Sequence, residues 1–280
     1  MAGFDQVLGQ EHIKKFFRNA AATGNVPHAC ILSGEEGMGK RKLAEAFARN
    51  LLCERGGAEA CGQCHSCKQT AAESHPDLIF VTHEKPASIG VDDVRKQIQD
   101  TIVIRPYSGR YKIYIVDEAE KMTVQAQNAL LKTIEEPPSY GVILLLTENL
   151  DIFLPTILSR CVQLKCRPVS DRDGKAYLMD HLHVPEERAE IYAAFGRGNI
   201  GKMVDFATSE KFQNMYDKMI YILKNIKEMD ISDLLNCIKE LKDENVDIYD
   251  CLDFMQLWYR DVLMYKVTRD MNLMIFKNEH

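Results

Sequence analysis

Apolar positions along this chain alternate between two periods. Ala29–Ser33, Leu78–Val81, 113–116, 142–147 and 162–164 are short apolar runs, several of them rich in β-branched residues. Between them the spacing becomes three or four. Over 41–52, Leu43, Ala44, Phe47, Ala48 and Leu51 fall on one helical face. Over 123–135, Ala126, Ala129, Leu130 and Ile134 do the same, and Pro137-Pro138 stops the helix. The runs 113–116 and 143–146 have no polar alternation, which predicts strands buried on both faces, as in a parallel sheet. Strand and helix follow one another in turn, so the pattern predicts an α/β domain with its sheet covered by helices.

After about Cys166 the strand runs stop. The segment 171–206 reads as two or three short helices broken at Pro185 and at 196–201. From Ser209 the pattern is amphipathic: Phe212, Met215, Met219, Ile222, Leu223 and Ile226 recur at three or four. A last helix is predicted over about 247–269. The chain therefore divides into an α/β domain over 1–166, a small helical domain over 167–208 and an all-helical domain over 209–280. The abrupt end at His280 leaves the last domain open to being incomplete.

Composition narrows the function classes. The 280 residues carry a net charge of −6, so any nucleic-acid contact must come from a local basic surface. No apolar run reaches the roughly 18–20 residues that span a bilayer. The first ten residues lack the basic-then-apolar order of an export signal. Together these predict a soluble cytoplasmic protein with no membrane partner. Nine cysteines, an odd number without an export signal, point to metal ligation or burial rather than disulfides.

Four motifs carry chemistry. Gly34-Glu35-Glu36-Gly37-Met38-Gly39-Lys40 follows the P-loop pattern between a predicted strand and a predicted helix. Its backbone N–H groups and the helix end favour phosphate oxygens, and Lys40 would reach the β- and γ-phosphates. The next residue should be a Ser or Thr that ligates Mg²⁺, and it is Arg41. The loop is thus built to hold ATP or ADP, or descends from one that did, and is poorly equipped for hydrolysis. Asp117 and Glu118 end the run 113–116, where a Walker B pair would hold the metal through water and orient the attacking water. The simpler alternative is an Asp capping a helix that begins near Ala119. Cys53, Cys61, Cys64 and Cys67 have spacings that suit tetrahedral Zn²⁺ in a closed, structural site, with His65 a bystander. A redox dithiol or an iron–sulfur cluster would use similar spacings, but nothing else in the chain suggests electron transfer. Ser159-Arg160-Cys161 stands at the end of a short turn before 162–164, a position where an Arg taken alone is a solvated or paired one.

These residues in this order resemble the bacterial clamp-loader AAA+ family. Residues 5–10 (Asp-Gln-Val-Leu-Gly-Gln), the P-loop, 117–120, Asn128 through Pro138 and Ser159-Arg160-Cys161 carry the resemblance, which covers about 1–205. It implies an AAA+ domain with an inserted zinc module at 53–67, a helical lid and a C-terminal collar that holds five subunits in a ring. It also implies that Val7, Leu8 and Gly9 lie near the adenine of any bound nucleotide, that Thr147 is the sensor-1 residue, and that Arg160 is an arginine finger for a neighbour's ATP. Two departures separate the subunit types. Arg41 replaces the metal-binding hydroxyl, and Gly201 stands where motor subunits carry a sensor Arg. Both resemble the delta-prime type, which does not turn over ATP, more than the gamma/tau motor type. The implied partners are gamma/tau motor subunits and delta in a hetero-pentamer, with the sliding clamp and primed DNA reached through the complex. An active motor that tolerates Arg41, and a zinc-bearing nucleic-acid module, are the alternatives. The second has little support, because 54–68 holds few basic residues and no aromatic for stacking.

Overall fold

A computed structural model of the chain describes residues 3–83, 85–244 and 246–277. The extreme ends of the predicted first and last domains, 1–2 and 278–280, lie outside the described residues. The chain folds as two compact units, Met1–Pro168 and Val169–His280.

The first unit is built on five parallel strands: β1 (Ala29–Ser33), β2 (Leu78–Val81), β3 (Lys112–Val116), β4 (Gly141–Thr147) and β5 (Val162–Lys165), in the order β2-β3-β4-β1-β5. The central strands β1, β3 and β4 are buried along their whole length, as their unbroken apolar sequences require. Strand β5 is mostly exposed, and its alternation of Val162, Gln163, Leu164 and Lys165 suits a sheet edge. Alternate side chains feed two separate cores. Cys30, Leu32, Ile113, Ile115 and Leu144 pack with Phe17, Leu43 and Phe47 on one face. Ile31, Tyr114, Val116, Ile143 and Leu145 pack with Ile98, Ala126 and Leu130 on the other.

Several helical segments of this unit have no counterpart in the sequence reading, and two of them pack into its cores. Glu11–Thr23 is a helix whose buried residues include Ile13, Phe17 and Ala20, and Phe17 stacks on Phe47 with ring centroids 4.0 Å apart. Burying such a pair contributes beyond its area alone, by about 0.5–1.5 kcal/mol. Between β2 and β3 the chain is helical over Val91–Val94, widens to a π-helical stretch at Arg95–Gln99 and closes with Asp100–Ile102.

The second unit is entirely helical among the described residues: Asp171–Leu182, Glu186–Gly196, Ile200–Thr208, Glu210–Asn225, Ile231–Asp243, Ile248–Thr268 and a short turn at Met271–Leu273. Ser170, Asn199, Ser209, Asp230 and Asp247 each accept a backbone N–H at a helix start. One apolar cluster runs from Leu178 through Phe195, Met219 and Phe254 to Trp258 and Phe276. The predicted division after residue 208 thus falls within a unit that shares one core. The chain end is held by Asp261, fully buried, whose carboxylate accepts the N–H groups of Ile275 (2.6 Å) and Phe276 (2.9 Å). No helix among the described residues is long and apolar enough to cross a membrane.

Candidate functional site

All five strands run the same way, so their C-terminal ends share one edge. The glycine loop leaves β1 at that edge, where the Gly34 N–H donates to the Thr147 carbonyl at the end of β4 (3.1 Å). Gly34, Gly37 and Gly39 have φ of 157°, 83° and 86°, which side chains rarely adopt. The approach is also close: a Cβ on Gly34 would lie 2.8 Å from Cys166 Cβ, and one on Gly39 would lie 3.2 Å from Val7 Cγ1. Gly39 caps Lys40–Leu52 without a side-chain bond, which leaves the first-turn N–H groups to the loop. Val7 is buried, Leu8 half-buried and Gly9 left-handed at 69°. Lys40 Nζ folds onto the loop and donates to the carbonyls of Gly34 (2.5 Å) and Glu35 (3.0 Å). It also lies 4.0 Å from Glu148.

Arg41 sits in a cage of opposite charge. Its guanidinium lies 2.8 Å from Glu45, 3.3 Å from Glu73 and 3.6 Å from Asp117, and is 5.1 Å from the centre of the Phe80 ring. The Glu45 hydrogen bond raises its pKa, with Glu73 and Asp117 adding to the effect against partial burial. Asp117 is thus joined directly to the residue that replaces the metal-binding hydroxyl. The loop's glycines leave room for a phosphate, while the carboxylate of Asp117, the expected metal partner, faces a guanidinium at 3.6 Å.

Glu118 is also committed elsewhere. Its backbone is left-handed (φ 47°), a strained conformation for a residue with a side chain. Its carboxylate accepts from Lys121 (2.7 Å) and lies 3.8 Å from His83. The Lys121 bond, with the neighbouring His83, holds it below the usual carboxylate range despite slight burial. Thr147 is fully buried, and its hydroxyl bonds the backbone of Asn149 in both directions (3.0 and 3.2 Å). The structure therefore gathers Gly34, Gly37, Gly39, Lys40, Asp117 and Thr147 at one edge, while Glu118 is drawn towards Lys121.

The opposite, N-terminal edge holds the other predicted residues. Arg160 precedes β5, whose Val162 pairs with Cys30 near the start of β1. Its Nη1 donates to the Thr156 carbonyl (3.0 Å) and the Ser159 hydroxyl (3.2 Å), and its Nη2 lies 2.9 Å from Glu135. The helix Lys40–Leu52 ends on the same side: a Cβ on Gly109, just before β3, would lie 2.7 Å from Leu52 and 3.5 Å from Asp77. Asp77 is buried and accepts the N–H groups of Tyr107 (2.6 Å), Ser108 (2.8 Å) and Gly109 (2.9 Å). This anchor was missed in the sequence, where only the Pro-Asp step before β2 hints at a turn.

Cys53 follows the helix Lys40–Leu52 and Cys64 caps His65–Ala71. With Cys61 and Cys67 they bring four Sγ atoms within 4.8 Å of one another, and Cys61 and Cys67 are 4.0 Å apart. A tetrahedral zinc with Zn–S of about 2.3 Å needs sulfurs about 3.8 Å apart, so the quartet fits with little adjustment. The N–H groups of Cys61, Cys64 and Cys67 point at the sulfurs of Cys53, Cys61 and Cys64 at 3.3–3.4 Å. Burial and the neighbouring Cys64 and Cys53 raise the Cys67 thiol, while backbone N–H groups of Gln63 and Cys64 lower that of Cys61. Such donors stabilise thiolates, which is the form a metal binds.

Residues 9–170 match the protein family described as DNA polymerase III, delta subunit. DNA polymerase III subunit tau of Bacillus subtilis is 30% identical over 287 residues, covering 95% of this chain and 50% of the relative. Subunit gamma of Buchnera aphidicola is 29% identical over 282 residues, covering 92% and 75%. Subunit tau of Escherichia coli is 35% identical over 188 residues, covering 66% and 29%. The chain spans about half the length of the Bacillus relative and less of the Escherichia one. Among solved structures, the RuvB Holliday junction branch migration motor of Thermotoga maritima superposes with a TM-score of 0.51 at 16% identity, covering 95% of this chain and 80% of that one. That likeness is one of fold, AAA+ in type, with the parallel sheet described above. With more than half its length matched, the chain belongs to the DNA polymerase III delta-subunit family, in the clamp-loader group of AAA+ proteins with the tau and gamma subunits.

Proposed function

We propose that this chain is the delta-prime, stator-type subunit of a clamp loader. In this reading it does not hydrolyse ATP at its own loop. It offers Arg160 to the ATP held by an adjacent gamma/tau motor subunit, in a ring with a delta subunit that sets a sliding clamp on primed DNA. The proposal also assigns 1–166 to the AAA+ domain with a structural Zn²⁺ on Cys53, Cys61, Cys64 and Cys67, 167–208 to a lid and 209–280 to the collar, in the cytoplasm.

The observation that carries the reading is the Arg41–Asp117 contact, which sets a guanidinium against the carboxylate expected to hold a metal. The placement of Arg160 supports the second half. It lies at the N-terminal edge, and a strand of β1's length separates the edges by about 15 Å at ~3.3 Å per residue. Arg160 cannot reach its own loop, so a phosphate it touches belongs to another chain. A guanidinium so placed stabilises charge on the transferred phosphoryl group, and its ion pair with the exposed Glu135 costs little to exchange.

The test is clamp- and DNA-stimulated ATPase of the reconstituted loader. Arg160→Ala is expected to slow hydrolysis at the one site it serves by about 10³-fold, and so to lower the loader's turnover clearly in an assembly that still forms. Unchanged turnover would make Arg160 structural. A motor reading is favoured by one finding, that the full-length likeness is to subunits named tau and gamma. It requires the chain to hydrolyse ATP with loss of activity on Glu118→Gln.

A further inference from the structure

We infer that this P-loop binds a nucleoside diphosphate without a divalent cation, the guanidinium of Arg41 standing where the metal would be. The inference rests on the reading that the site does not turn over ATP, and adds what it does instead. In a working P-loop the metal is held between a loop hydroxyl and the Walker B Asp, and bridges the β- and γ-phosphates. Here the same two positions are joined through one side chain, Arg41 to Asp117 at 3.6 Å. Arg41 is half exposed but has several partners. Glu45 holds it from its own helix, Glu73 from the segment before β2, and Phe80 on β2 lies beneath its guanidinium. A divalent ion inserted against Asp117 would meet a positive charge at close range, and Arg stays protonated at any physiological pH.

The rest of the loop keeps its phosphate-binding form. Its three glycines are left-handed or sterically required, and Lys40 Nζ is parked on two loop carbonyls, a resting place phosphate oxygens can replace. Phosphates entering the loop meet Lys40, and in this proposal they also draw the half-exposed guanidinium of Arg41 from its carboxylates; both are donors suited to phosphate oxygens. The guanidinium is shared with three carboxylates and so offsets less charge than a divalent ion. That favours the diphosphate over the triphosphate, whose terminal group carries the extra charge.

The test is equilibrium binding of a fluorescent ADP analogue to the full chain, in EDTA and in excess Mg²⁺. The expected result is the same affinity in both to within about twofold. Arg41→Thr, with zinc content and circular dichroism checked for folding, should bind at least about tenfold more weakly in EDTA and recover with Mg²⁺, the loss expected when a charged phosphate contact is removed. Arg41→Lys should remain insensitive to EDTA. Binding by the unmodified chain that needs Mg²⁺ would overturn the inference, and so would absence of binding in both conditions. Neither outcome bears on Arg160, so loader ATPase in the Arg160→Ala variant judges the stator reading separately.

Discussion

At the C-terminal edge of the sheet Arg41 is surrounded by Glu45, Glu73, Asp117 and the Phe80 ring, whereas at the N-terminal edge Arg160 meets one carboxylate, Glu135, and two neutral oxygens. Both side chains are partly open to solvent, so exposure does not separate them. Partnership does. Arg41 is satisfied by its own chain and neutralises the very Asp that would hold a metal. Pairs of this exposed kind are worth about 0–1 kcal/mol each, and Arg160 has one where Arg41 has three, so a stronger anion takes Arg160 over more readily. On the proposed reading, one domain loses a site of its own and still serves a neighbour's, with the two roles assigned to opposite edges of the sheet.

Predictions can sharpen or break that contrast. The largest effect concerns what stiffens the N-terminal edge. Cys64→Ser, or strong chelation, should remove one equivalent of bound zinc, and structural zinc sites of this kind are worth on the order of 10 kcal/mol of binding. Hydrogen exchange should rise over residues 53–71 while β1, β3 and β4 stay protected. Unchanged metal content would contradict the ligand assignment.

A smaller effect is expected at Asp77. Burial alone would raise its pKa, but the N–H groups of Ser108, Tyr107 and Gly109, with His75, outweigh it and hold the carboxyl below its usual range. The folded value therefore lies under the unfolded one of about 3.9. The stabilisation is complete above that value and fades as pH falls through the folded one. Asp77→Asn should lower stability by about 1–3 kcal/mol at neutral pH. Denaturant titrations should show the gap to the unmodified chain closing below about pH 4. A constant gap would mean the charge is not what anchors the 107–109 turn.

The smallest effects are the most telling. Glu135→Ala should change loader ATPase by about twofold or less, because it removes only an exposed partner of Arg160. Lys40→Ala should leave clamp loading nearly intact. A severe loading defect in Lys40→Ala would show that occupancy of this chain's own loop matters to the assembly.

Much of this was legible in sequence because it depends on local patterns. The five strands fall where the apolar runs lie, and the cysteine spacing brings four sulfurs together. The helix Glu11–Thr23 also carries a readable pattern in Ile13, Phe17 and Ala20, but its first apolar residue stands behind the left-handed Gln10 rather than a recognisable cap. The cage around Arg41 was half visible: Glu45 is four residues away on the same helix, while Glu73 and Asp117 come from segments that only the sheet order brings near. The diversion of Glu118 to Lys121 and the anchoring of the 107–109 turn by Asp77 depend on backbone geometry that no spacing encodes.

The central claim is that the catalytic contribution of this chain lies at Arg160 and not at its own Walker residues. The most direct measurement compares Arg160→Ala and Glu118→Gln, each in the same reconstituted loader, by clamp- and DNA-stimulated ATP turnover. The account predicts a clear loss of turnover for Arg160→Ala, about 10³-fold at the one site it serves, and turnover indistinguishable from the unmodified loader for Glu118→Gln. The reverse pattern, with Glu118→Gln disabling and Arg160→Ala silent, would contradict it and make the chain a motor.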